Sequence, residues 1–145
     1  VTVRRLDHLA IPVADMEPML AFYRAIGFTV DDEHAPLLYS VCQGDMKLNL
    51  HAPRLWRSER FTLRAPAAEP GCGDLCLVWD GGEEELEARL ASAGVEVIEG
   101  PVERVGGADR GRARGISRYV RDPDGNLIEF IVYRPPGPPG AGPRP

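Results

Sequence analysis

The sequence predicts an α+β protein made of two tandem βαβββ modules, forming a curved mixed sheet around a shared cavity. Two observations predict this. The first is a repeat: Leu6-Asp7-His8-Leu9-Ala10-Ile11 opens one half, and Gly73-Asp74-Leu75-Cys76-Leu77-Val78 opens the other. A second shared signal follows in each half, Gly27-Phe28-Thr29-Val30 and then Gly94-Val95-Glu96-Val97. The second observation is periodicity. Each half alternates apolar residues with a period of two, then with a helical period, then with a period of two again. A repeat of this kind marks one supersecondary unit that needs its neighbour to bury its apolar face. In register His8 falls on Asp74, and the closing strands carry Asn49 and Glu129. Polar residues at matching positions of a duplicated unit provide a metal or ligand site on a pseudo-twofold axis.

In the first half, residues 5–13 read as a strand with Leu9, Ile11 and Val13 on one face and His8 and Ala10 on the other. Asp15 is placed to cap a helix that runs to Ile26, with Pro18 harmless in its first turn. Met19, Leu20, Tyr23 and Ile26 form its apolar stripe, and Gly27 stops it. Strands are predicted over 28–33, 37–43 and 46–51. In the last, Met46, Leu48 and Leu50 oppose Lys47, Asn49 and His51.

Residues 52–71 carry three prolines, Trp56, Phe61 and several arginines without periodicity, and are predicted to link the module of residues 1–51 to that of 72–134. A strand over 74–79 puts Leu75, Leu77 and Trp79 opposite Asp74, Cys76 and Val78. A helix over 83–93 follows, capped by Asp80 or Gly82, with Leu86 and Leu90 inward and a Glu85–Arg89 ion pair on its surface. Strands are predicted over 95–103, 115–121 and 126–133, with a Gly/Arg-rich loop from Gly106 to Gly115. The Pro/Gly tail, residues 135–145, has nothing apolar to bury and is expected to be disordered. Each helix must cover the Leu9/Ile11 or Leu75/Leu77 face of its sheet. The opposite faces, with His8, Asn49, His51, Asp74 and Glu129, should then converge on the cavity.

The chain of 145 residues bears a net charge of −5, which argues against a general nucleic-acid partner. No apolar run approaches the roughly 20 residues of a membrane span. The first residues, Val1-Thr2-Val3-Arg4-Arg5, lack the core of a signal peptide, so export is not expected. Three cysteines without a C-x-x-C pair predict neither a disulfide framework nor a zinc knot, and suit a reducing cytoplasm.

The opening L-D-H-L-A-I-P-V of Leu6 to Val13, the A-F-Y-R-A-I-G-F of Ala21 to Phe28 and the closing R-D-P-D-G-N-L-I-E-F of Arg121 to Phe130 resemble the vicinal oxygen chelate superfamily. That superfamily contains glyoxalase I, bleomycin-resistance proteins and extradiol dioxygenases. The resemblance covers residues 5–133 and is closest to a glyoxalase-like subgroup. It implies metal ligands from the first and last strand of each module. Position by position these are His8, Asn49 or its neighbour His51, Asp74 and Glu129. His8 and Glu129 match the pattern. Asp74 stands where the family usually has His or Gln, and Asn49 where its metal-binding isomerases have Glu or His.

The preferred ligand set is therefore His8, Asp74 and Glu129, with His51 as alternative third ligand or general base. One imidazole and two carboxylates suit Fe(II), Mn(II), Ni(II) or Zn(II). A carboxylate within Leu127-Ile128-Glu129-Phe130-Ile131 calls for a partner or a cation. Glu129 and His51 are the candidate catalytic groups. Asn49, Ser117, Tyr119, Arg114 and Trp56 are candidate substrate contacts. The expected function is a metal-dependent enzyme of the glyoxalase/dioxygenase type acting on vicinal oxygens of a small-molecule substrate. The alternative is a metal-free binding protein of the bleomycin-resistance type. By analogy the chain is expected to form a homodimer.

Overall fold

The computed structural model describes residues 2–133; the tail expected to be disordered lies outside the described residues. In chain order the elements are β1 (Leu9–Pro12), α1 (Met16–Ala25), β2 (Thr29–Asp31), β3 (Leu38–Gln43), β4 (Met46–His51) and α2 (Pro53–Trp56). The second half follows with β5 (Asp74–Val78), α3 (Glu83–Ser92), β6 (Glu99–Val105), the irregular turn α4 (Ala108–Gly111), β7 (Arg114–Arg121) and β8 (Leu127–Tyr133). The strands make two four-stranded sheets ordered β1-β4-β3-β2 and β5-β8-β7-β6. In each sheet the first strand runs parallel to the last and the other pairs are antiparallel. The duplication in the sequence is thus a duplication of topology.

The helices cover the faces that alternation selects. Met19, Leu20 and Tyr23 of α1 are buried with Ile11, Val41, Leu48 and Leu50; Leu86 and Leu90 of α3 are buried with Leu77, Val120, Ile128 and Phe130. These side chains belong to a single apolar core that spans both modules. Removing so much hydrocarbon from water is the main drive holding the halves together. Arg118 is a charged exception on the helix-facing side of β7. Its side chain is 4% exposed and pairs with Glu83 and Glu87, one turn apart on α3.

A buried turn ties the modules to each other. Asp122 Oδ1 accepts the backbone N–H groups of Asp124 and Asn126, at 3.1 and 2.9 Å. Its Oδ2 accepts from Asn126 Nδ2 at 2.7 Å and from the Tyr23 hydroxyl of α1 at 3.3 Å. Asn126 Oδ1 accepts the Gly73 N–H just before β5, and Asp124 Oδ2 accepts the Ala14 N–H just before α1. Gly125 lies at φ +88°, which the turn reaches without a side-chain clash. Burial raises the Asp122 carboxyl above its ordinary value, partly offset by the hydrogen bonds from Asn126 and Tyr23. The Tyr23 hydroxyl is likewise raised, by burial and then by the charge of Asp122.

Local expectations change in four places. β1 begins at Leu9, not at residue 5, because its ladder with β4 starts at the Leu9–Leu48 pair, and β1 is an edge strand with no other partner. Asp15 is the N-cap of α1 but makes no side-chain capping bond. The predicted Glu85–Arg89 pair is replaced by a bond from the Gly82 N–H to Glu85 Oε2 at 2.7 Å, since an orphan amide at a helix start competes well for a carboxylate. β6 starts at Glu99 and is bulged before Val102, four residues later than expected.

Candidate functional site

A groove of about 530 Å³ opens where the two modules meet, between the approach to β1, the start of β4 and β5. Leu9, Met46, Leu48, Leu75 and Leu77 give it an apolar lining. His8, Asp74 and Cys76 add the polar groups, with Arg5, Asp45 and Lys47 beside them. The repeat-related residues His8 and Asp74 therefore face the same space. His8 Nδ1 lies 2.7 Å from Asp7 Oδ1, and this bond lowers the Asp7 carboxyl below its ordinary value. Arg5 bridges to Asp45 at 3.0 Å.

Behind the groove, Glu129 of β8 pairs with Cys76 of β5 on one side and Tyr119 of β7 on the other. The Ser117 hydroxyl, fully buried, donates to Glu129 Oε1 at 2.5 Å. This half-buried carboxylate is thereby partnered, as its apolar surroundings require. Burial, then the negative charge of Glu129 and Asp74, pushes the Cys76 thiol up to about 12. The Tyr119 hydroxyl accepts from Arg104 Nε at 3.0 Å, and Arg104 also reaches Glu99 at 3.2 Å.

On the first module's sheet, Asn49 Oδ1 accepts from the Ser40 hydroxyl at 2.8 Å. His51 is 8% exposed and lines a separate cavity of about 210 Å³ with Trp56. Burial lowers the His51 imidazole below its ordinary value. Trp56 Nε1 donates to the Val13 carbonyl at 3.0 Å. Arg114 sits at an exposed strand end and bridges to Glu103 at 2.5 Å.

Residues 5–130 match the profile of the Glyoxalase/Bleomycin resistance protein/Dioxygenase superfamily. The chain belongs to this superfamily. It is 33% identical over 135 residues to Virulence protein STM3117 of Salmonella typhimurium, covering 90% of this chain and 85% of that protein. The crystal structure of that protein superposes with a TM-score of 0.80 at 32% identity, over 92% of this chain and all of the other. The Glyoxalase domain-containing protein RDO1 of Mycosarcoma maydis is 35% identical over 133 residues, 92% of this chain and 70% of RDO1. TnmS3, an antibiotic binding protein from Streptomyces sp. CB03234, shares the fold with a TM-score of 0.68 at 25% identity, covering 92% of this chain and 99% of TnmS3.

Superfamily membership raises the question of a divalent metal. The chemistry of His8, Asp74 and Glu129 suits a borderline ion. Their placement in one chain does not. Among the described residues no three His, Cys, Asp or Glu side chains gather closely enough to hold a metal. The expected site residues instead fall into three places. His8 and Asp74 share the groove; Glu129, Ser117 and Tyr119 share the adjoining sheet face; His51 and Trp56 share the smaller cavity. Asn49 is held by Ser40, and Arg114 joins none of the three.

Cys76 and Arg104 are the site residues that sequence reasoning gave no role. Strand parity already put Cys76 on the face of Asp74, so its signal was present. Arg104 had no usable signal, because the bulge in β6 breaks the alternation that would have placed it.

Proposed function

We propose that the chain binds a small, largely apolar organic molecule in the groove between its modules. One observation carries this: the two positions that the repeat makes equivalent, His8 and Asp74, open on one apolar-lined space of about 530 Å³. That volume is in the range of small-molecule sites. The His8 ring, held through Nδ1 by Asp7, presents its Nε2 to a ligand. Asp74 offers a carboxylate, and Cys76 a neutral thiol. Such a set favours a ligand that brings hydrogen-bond donors on an apolar body. The antibiotic binding of the related TnmS3 supports the same class of task. The probe N-phenyl-1-naphthylamine should brighten on binding wild-type protein and fail to do so with Leu75→Glu, which puts a charge in the groove. An equal response from a folded Leu75→Glu variant sinks the reading.

A second reading, a metal-dependent enzyme of the glyoxalase/dioxygenase type, is favoured by the position of Glu129 one strand behind that groove. His8, Asp74 and Glu129 would hold Fe, Mn, Ni or Zn only if a homodimer brought donors of two copies together. Metal content of freshly purified protein decides the matter. About one divalent ion per chain, lost in both His8→Ala and Glu129→Ala, supports this reading; unchanged loading in both variants removes it.

A further inference from the structure

Charge is distributed unevenly along the groove between the modules. On the side of the first module it balances: the cations Arg5 and Lys47 face the carboxylates Asp7 and Asp45. Asp7 is held by His8 at 2.7 Å and feels the charge of Lys47, and Arg5 bridges to Asp45 at 3.0 Å. On the β5 side Asp74 stands alone. Among the described residues its carboxylate has neither an ion-pair nor a hydrogen-bond partner. Farther along β5, Cys76 lies beside Glu129 of β8, and burial, then the charges of Glu129 and Asp74, raises its thiol. Ser117 gives Glu129 a hydrogen bond but no counter-charge. Arg104 of β6, three strands from β5, is engaged by Glu99 at 3.2 Å.

Apolar surface adjoins this uncompensated charge. Leu75 and Leu77 line the groove together with Leu9, Met46 and Leu48, and Leu48 and Leu77 are buried. A carboxylate beside a hydrocarbon wall matches a ligand with a cation at the edge of an apolar body. An ammonium group supplies both the counter-charge and N–H donors, while the body takes the leucine surface out of water. An anion of the same shape meets Asp74 and Glu129 as like charges. A neutral ligand strips water from the Asp74 carboxylate and returns no counter-charge. Building on the small-molecule reading of this groove, we infer that its ligand is an organic amine, protonated near neutrality, with its ammonium group at Asp74 and an aromatic or branched aliphatic body over Leu9, Met46 and Leu75.

Isothermal titration calorimetry with 1-naphthylmethylamine as the probe tests this, with 1-naphthalenemethanol as its uncharged counterpart. Wild-type protein should bind the amine about five- to tenfold more tightly than the alcohol at low salt. That margin should shrink as sodium chloride is raised. Asp74→Asn, a change of charge at an exposed position, should remove most of the margin. Glu84→Gln makes the same change in net charge on the exposed surface of α3 and should keep it. Equal affinity of wild-type protein for the two compounds overturns the amine assignment while the groove stands as a small-molecule site. An undiminished preference in folded Asp74→Asn, or an equal loss in Glu84→Gln, overturns it too. Binding of neither compound removes the groove reading and the amine assignment together.

Discussion

Cys76 is as exposed as Cys72, yet partial desolvation beside β8 and then the charges of Glu129 and Asp74 keep its thiol protonated. With the group pushed up to about 12, thiolate is scarce near neutrality, and thiolate is the reactive form. Iodoacetamide should therefore alkylate Cys72 well before Cys76, read by peptide mass spectrometry. Glu129→Gln removes one negative neighbour and should speed alkylation of Cys76. His51 gives a second prediction. Its folded pKa lies below the unfolded value of 6.5, so between the two the unfolded chain binds more protons. Stability should thus be intact above 6.5 and fall as the pH drops below it. Urea midpoints at about pH 7.5 and about pH 5.5 measure this slope, and His51→Phe should flatten it. At this scale the sequence indicated which residues carry chemistry but not what they touch. Ser117 and Glu129 share a face by parity, as do Ser40 and Asn49, yet parity alone does not announce their bonds.

Elements were read more fully than residues. The apolar stripes of α1 and α3 and the glycines that end them are local signals, and both helices lie within a residue or two of their predicted ends. The ends of edge strands are not local: β1 joins the ladder only at Leu9, although β4 runs back to Met46, and that leaves His8 outside it. The pin between α3 and β7 was also legible only in part. Glu83 and Glu87 share a helix face by spacing, but nothing nearby in sequence names Arg118 as their partner. Arg118→Ala should lower stability by about 1–3 kcal/mol, mainly through the void it leaves beneath α3, since Glu83 and Glu87 are exposed enough to be hydrated once the cation is gone. Arg118→Lys should recover only part of that loss, because an ammonium cannot span both glutamates as the guanidinium does. Chemical denaturation of the two variants measures both numbers.

The arrangement of the whole molecule was the least legible level. A repeat predicts two modules; it does not say how they meet. The R-D-P-D-G-N stretch looked like a mark of kinship, and the structure gives its physical work. Asp122, Asp124 and Asn126 satisfy backbone and side-chain groups on both halves, with Asn126 wholly buried. Asn126→Ala should destabilise by about 2–3 kcal/mol, because it orphans the Gly73 amide and removes a donor to Asp122. Tyr23→Phe, which loses one longer bond, should cost about 1 kcal/mol. Both variants should still unfold in one transition by tryptophan fluorescence and circular dichroism, since the apolar core runs through both modules.

That turn also sets an order of events during synthesis. The first module has all its strands once His51 has emerged from the ribosome, but the groups that accept from the Tyr23 hydroxyl and the Ala14 amide arrive only at Asp122 and Asp124. Until then the nascent half carries an unsatisfied interior and an uncovered apolar flank. A ribosome-bound chain halted before Asp122 should be cut readily by protease within the first module, and one that has exposed residue 133 should resist.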